Sequence, residues 1–216
     1  MRRVIALLAL AFCWIDARAQ QSPELQRHAI PAAAVTGTEP SDPPARTVQD
    51  TRSHVRFDLP PGWNLARRDG ELSTFSLDAR SAPPNAEVRA VAALAYNPFP
   101  RSTFSGALFY LSLTPHSTPA ACLAQAHAKP NEPLSSVSVG DVPFARGHDA
   151  HGTICTEARD TVYTTLRHGS CVRFDLAINS FCGGEVSGAR DLTDAELADI
   201  QQRLESLLAQ VQLSAQ

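Results

Sequence analysis

Alternating apolar and polar positions dominate the second half of the chain. Val162, Thr164 and Leu166 fall on one face of a strand, with Tyr163, Thr165 and Arg167 on the other. After a short turn at His168-Gly169-Ser170, Val172, Phe174, Leu176 and Ile178 fill one face opposite Cys171, Arg173, Asp175 and Ala177. This period of two predicts a β-hairpin with one buried side. Earlier, Val55, Phe57 and Leu59 alternate with Arg56 and Asp58, and Pro60-Pro61-Gly62 then forces a turn before Trp63. Further strands are expected at 63–67, 71–77, 87–96, 107–113, 142–144 and 153–158. The 87–96 stretch is apolar at nearly every position after Arg89, as for a central strand covered on both faces.

Two segments carry the helical period instead. Thr118-Pro119 offers a cap and a first-turn proline for a helix over 120–127. Near the C-terminus, Thr193 and Glu196 form a capping box, and Leu192 with Leu197 can form a hydrophobic staple. Leu197, Ile200, Leu204, Leu207, Leu208 and Val211 then keep one apolar face, which suits packing on a sheet. The fold class expected is α+β: an antiparallel sheet flanked by helices.

The N-terminus follows a different pattern. Arg2 and Arg3 precede an apolar run from Val4 to Ile15, followed by the small-x-small site Ala17-Arg18-Ala19. That order describes a secretory signal peptide over 1–19, cut before Gln20, and the run is too short for a stable membrane anchor. The competing reading, a lipid-modified Cys13, is disfavoured by the bulky Phe12 before it. Residues 20–53 are rich in Pro, Ala and Thr without apolar periodicity and read as a flexible linker. Residues 54–216 read as a single α+β domain.

Composition narrows the partners. Removal of residues 1–19 leaves 16 basic and 21 acidic side chains, a net charge of −5. A mildly acidic chain with scattered arginines has no electrostatic footprint for nucleic acid. Cleavage also removes Cys13, leaving Cys122, Cys155, Cys171 and Cys182. Four cysteines in an exported protein suggest two disulfides rather than a zinc site, because no C-x-x-C pair is present. If 153–158, 161–167 and 171–178 form a meander, Cys155 and Cys171 stand two strands apart, roughly 9–10 Å, beyond disulfide reach. Cys171 and Cys182 lie at opposite ends of a strand plus an added segment, so their pairing needs a sharp return. Elimination therefore favours Cys122–Cys171 and Cys155–Cys182 among the three connectivities.

Candidate chemistry is sparse. His148-Asp149-Ala150-His151, bracketed by Gly147 and Gly152, could chelate a metal from a tight turn, but on a strand this odd spacing divides the two histidines between faces. A polar loop is the preferred reading, and no third ligand is identifiable. The chain contains no G-x-S-x-G, S-x-x-K or H-E-x-x-H motif and no glycine-rich phosphate loop. Neither catalytic residues nor a cofactor are assigned. The 97–106 connection places Phe99 and Phe104 among polar residues, either as an aromatic contact surface or as rings folded over the core edge.

The run Phe57-Asp58-Leu59-Pro60-Pro61-Gly62-Trp63, the late Gly169-Ser170-Cys171 strand start and the capped C-terminal helix together resemble the PsbP-like α/β/α sandwich over about residues 54–213. That resemblance implies an accessory or interaction role, and it transfers no functional residue because the matching positions are turn and core residues. The favoured expectation is a secreted or periplasmic noncatalytic binding domain for an exported protein or small ligand. Two alternatives stand beside it. One is an exported hydrolase or metal-dependent enzyme using His148, Asp149 and His151. The other is an apolar-ligand carrier with an interior pocket lined by Phe109, Leu111 and Phe174.

Overall fold

The computed structural model describes residues 42–73, 77, 82–127, 134–153, 155–183 and 188–214. The segments expected to be a signal peptide and, up to residue 41, a linker lie outside the described residues. Among them, no helix is long and apolar enough to cross a membrane.

Among the described residues, ten strands and two helices follow one another. They are β1 (Arg46–Asp50), β2 (Val55–Leu59), β3 (Trp63–Ala66), β4 (Glu87–Leu94), β5 (Phe104–Thr114) and α1 (Pro119–Ala124). Then come β6 (Ser135–Val139), β7 (Val142–Thr153), β8 (Thr156–Arg167), β9 (Ser170–Phe181), α2 (Asp194–Leu208) and β10 (Gln212–Leu213). All strand pairings are antiparallel. A seven-stranded sheet has the order β3-β4-β5-β9-β8-β7-β6, and a small sheet has the order β1-β2-β10. Two meanders, β3-β4-β5 and β6-β7-β8-β9, are joined where β5 pairs with β9, from Thr114 opposite Cys171 to Phe104 opposite Ser180.

The main core lies between the large sheet and a layer made of α2 and the small sheet. Ala107, Phe109, Leu111 and Leu113 of β5 and Val172, Phe174, Leu176 and Ile178 of β9 face it, together with Phe57, Ile200 and Leu204. The rings of Phe57 and Phe109 meet edge to face at 5.3 Å, and Phe109 and Phe174 lie 5.5 Å apart. Phe109, Leu111 and Phe174 are thus core side chains packed on one another, not the lining of an interior ligand pocket.

The opposite sheet face is buried as well, which corrects the expectation of a one-sided hairpin. Arg173 and Asp175 are 1% and 0% exposed. Burial there is tolerable because the two charges neutralise each other: Arg173 Nε donates to Asp175 Oδ2 at 2.9 Å, and its Nη2 donates to Oδ1. Its Nη1 donates to the Gln125 carbonyl at 2.9 Å, satisfying an acceptor at the end of α1.

Three other expectations shift. The linker boundary at residue 53 falls late, because β1 already pairs with β2 from Arg46 opposite Leu59. The segment is polar, yet Val48 and Asp50 alternate inward, and Asp50 is bound by Arg89 at 2.7 Å and by the Ser53 amide at 2.8 Å. Burial alone would raise the Asp50 pKa, but these bonds hold it below its ordinary value. The strand expected at 71–77 does not form at described residues 71–73 and 77. Asp69 instead captures the Leu77 amide and accepts from the Tyr110 hydroxyl at 3.2 Å, and Leu72 and Leu77 pack with the cluster on the second sheet face. Residues 148–151 are strand rather than loop, since β7 runs unbroken through them.

The helix ends follow their sequence signals. Thr118 Oγ1 accepts from the Ala121 amide, with Pro119 in the first turn of α1. Thr193 and Glu196 complete the capping box of α2, and Glu196 also pairs with Arg190. The hydrogen bonds from Arg190 and from the Thr193 amide lower the half-buried Glu196 carboxyl from 4.5 to about 2. A carboxyl depressed on folding stabilises the native state above its unfolded pKa and loses that contribution as pH falls through the folded one. The urea midpoint of wild type should therefore exceed that of Glu196→Gln at neutral pH, and the gap should close between pH 4.5 and 2.

Candidate functional site

A groove of about 430 Å³ runs between the first turns of α2 and the outer strands β7 and β8 on the α2-covered face. The pleat determines what lines it. Arg146, His148 and Ala150 alternate on β7, and register places Tyr163, Thr161 and Arg159 of β8 directly opposite them. Leu197, Ala198 and Gln201 of α2 close the other wall.

The ionisable groups of the groove are engaged with one another. Arg146 lies 3.6 Å from Glu205 and its guanidinium stands 5.8 Å above the Tyr163 ring. Burial pushes the Tyr163 phenol up, against the pull of Arg146. Arg159 Nη2 donates to Glu157 at 2.6 Å and its Nη1 donates to Ser180 Oγ at 3.4 Å. His148 is exposed, with Nδ1 3.5 Å from Thr161 Oγ1. A second hollow of about 390 Å³ shares Glu157 and Arg159 and continues past Ser180 and Asp191 to the Cys155–Cys182 disulfide. Together they form one open, polar-edged trough with an apolar strip of Ile178, Leu192 and Leu197.

The sequence-derived candidates are dispersed by this geometry. His148 and Asp149 both border the groove, with Asp149 across from Asp160 of β8, but as neighbours on one strand their side chains leave it on opposite faces. Positions 148 and 151 also fall on opposite faces, and the His151 side chain lies outside the described residues. Among the described residues, no group of three or more His, Cys, Asp or Glu is arranged to hold a metal. Gly147 has a packing role instead of a turn role: a Cβ there would stand 1.9 Å from the Ala126 carbonyl oxygen at the end of α1.

Phe104 begins β5 and is 5% exposed within the core, so it offers no contact surface; Phe99 is half-buried against the same cluster. The cysteines pair as Cys122–Cys171 and Cys155–Cys182, with Cα atoms 5.3 and 4.4 Å apart. The first bridge is buried and ties α1 to β9, and the second closes the exposed end of the β8–β9 pair. Arg146, Arg159 and Glu157 were not singled out in the sequence, although their period-two spacing with His148 and Thr161 was visible there.

No known protein-family model matches the chain, and no curated protein matches it. Among solved structures it is similar to a cyanobacterial PsbP (CyanoP) from Synechocystis sp. PCC 6803, with a TM-score of 0.44 and 10% identity over 82% of this chain and 96% of that one. It is also similar to a protein from Bacteroides thetaiotaomicron VPI-5482, with a TM-score of 0.41 and 15% identity over 79% of this chain and 49% of that one. These likenesses concern the course of the backbone and say nothing about ligand or activity.

Proposed function

We propose that this chain is an exported, noncatalytic binding module whose trough beside α2 receives a segment of a partner protein. The observation that carries this reading is the trough itself, an open apolar strip edged by Arg146, Arg159 and Glu157, with Arg146 paired to Glu205 and Arg159 to Glu157. Groups neutralised in this way are suited to orienting a polar rim around an apolar contact, and poorly suited to moving protons. The two disulfides support an oxidising compartment as the place of work.

Site-specific photo-crosslinking tests the reading. A benzophenone side chain at Ala198 or Gln201, in the protein expressed in its native host, should give a discrete protein adduct. The same group at the exposed Leu123 of α1 should give none. Equal labelling from both places, or turnover of ester or peptide substrates abolished by His148→Ala, overturns it.

A further inference from the structure

The hairpin of β6 and β7 ends the large sheet, and its register fixes which backbone groups of β6 point outward. Ser138 stands opposite Pro143, which has no N–H to give. Opposed residues of an antiparallel pair alternate between those that exchange hydrogen bonds and those that do not. Ser138 and Pro143 belong to the second kind, and β8 joins β7 only from Ala145, so the missing N–H costs no bond on either side. Val137 with Phe144 and Val139 with Val142 are then the bonded pairs, which suits closure by Gly140-Asp141 with Gly140 at φ 58°. The amides and carbonyls of Ser136 and Ser138 therefore turn away from β7. Among the described residues, no strand pairs with that side, and Ser135, Ser136 and Ser138 are exposed.

Unpaired strand edges are ordinarily blunted by charge, proline, shortness or a covering segment. The other edges of this fold carry such devices. β3 has four residues, and its entry is fastened by the Gly62 amide donating to the Pro43 carbonyl at 2.9 Å. β10 has two residues, and β1 carries Arg46 and Asp50. The five residues of β6, Ser-Ser-Val-Ser-Val, are uncharged and free of proline. They are also self-complementary: an antiparallel copy centred on Val137 sets Ser136 against the partner's Ser138. We propose that β6 pairs with β6 of a second copy of this chain about a two-fold axis at Val137, joining the two large sheets into one. The Ser136 amide donates to the partner's Ser138 carbonyl, and the partner's Ser138 amide donates back to the Ser136 carbonyl. Only this register pairs all the outward groups of both serines within the strand. The Val137 side chains, half-buried in each copy, face each other at the axis, where a non-bonded pair brings side chains closest. A second copy fits best because the edge offers no charge to select a different chain, and no like charges meet along the ladder. The edge is separate from the trough beside α2, and the pairing does not depend on what the trough binds.

The test uses the untagged mature chain with both disulfides oxidised. In sedimentation equilibrium the mass should rise towards twice the monomer's between about 10 µM and about 1 mM, where an interface this small associates. Over the same range, amide exchange at Ser136 and Ser138 should slow by about fivefold or more, while Val137 and Val139, already bonded to β7, should not change. Ser136→Glu/Ser138→Glu sets carboxylates against carboxylates and should stay monomeric throughout. Ser136→Glu/Ser138→Lys sets unlike charges against each other and should dimerise as the wild type does. Both positions are exposed, so these substitutions leave the core untouched. A wild-type monomer at every concentration overturns the proposal, even where another protein adds a strand at this edge. So does a dimer that persists in the double-glutamate variant or leaves the Ser136 and Ser138 amides fast, because it must use another surface.

Discussion

Asp175→Ala should destabilise the protein by about 3–5 kcal/mol, the cost of leaving one buried charge without its partner. Arg173 is 1% exposed, and the substitution removes the carboxylate that accepts from its Nε and Nη2. The guanidinium then retains its bond to the Gln125 carbonyl, which carries no full charge. In a domain of this size the loss lowers the melting temperature by roughly 6–20 °C. Calorimetry of the single variant and of Arg173→Met/Asp175→Leu distinguishes the causes. The double variant should recover much of the loss, because an apolar pair of similar volume carries no charge to desolvate. Equal destabilisation in both would show that packing volume, not uncompensated charge, sets the cost.

Removal of the buried bridge by Cys122→Ser/Cys171→Ser should cost about 4 kcal/mol, given the chain entropy released when a loop of this length is no longer closed. The bridge spans 49 residues and fastens α1 against β9 beside the Arg173–Gln125 bond, so its loss also loosens the cover over the buried ion pair. Thermal melts should show a fall of roughly 8–16 °C. Removal of Cys155–Cys182, which spans 27 residues at an exposed strand end, should cost less. Graded reductant followed by alkylation and peptide mapping should open Cys155–Cys182 first, because a thiolate can reach it while Cys122 and Cys171 are buried. Simultaneous opening would mean that the domain unfolds before either bridge is attacked.

Much of the architecture was legible in the residues. The β8–β9 hairpin, the capped α2 and the strands at 55–59 and 87–94 follow local patterning, and the structure places them there. The misreadings share one cause, which is that partners distant in sequence override local pattern. Arg46–Asp50 reads as linker because its polar residues find strand-paired and ionic partners only in β2 and Arg89. Glu71–Leu77 reads as strand until Asp69 captures the Leu77 amide. The glycines around His148 suggest a turn until Gly147 is seen beneath the Ala126 carbonyl. For the trough, the alternation of Arg146, His148 and Ala150 was visible, but not that the first turns of α2 would stand beside those positions and make a groove.

By itself the sequence determined the alternation of the strands, the register of the last hairpin, the caps of both helices and a cysteine set able to form two bridges. These follow from periodicity and short-range hydrogen bonding, which act over a few residues. Tertiary structure alone decided that the polar side of β9 is buried, that Glu157, Arg159 and His148 share an open trough, and that β6 stands at an edge of the large sheet. Burial and encounter depend on what another part of the chain lays against a surface. A pattern of side chains along one strand cannot specify that until the sheet is assembled.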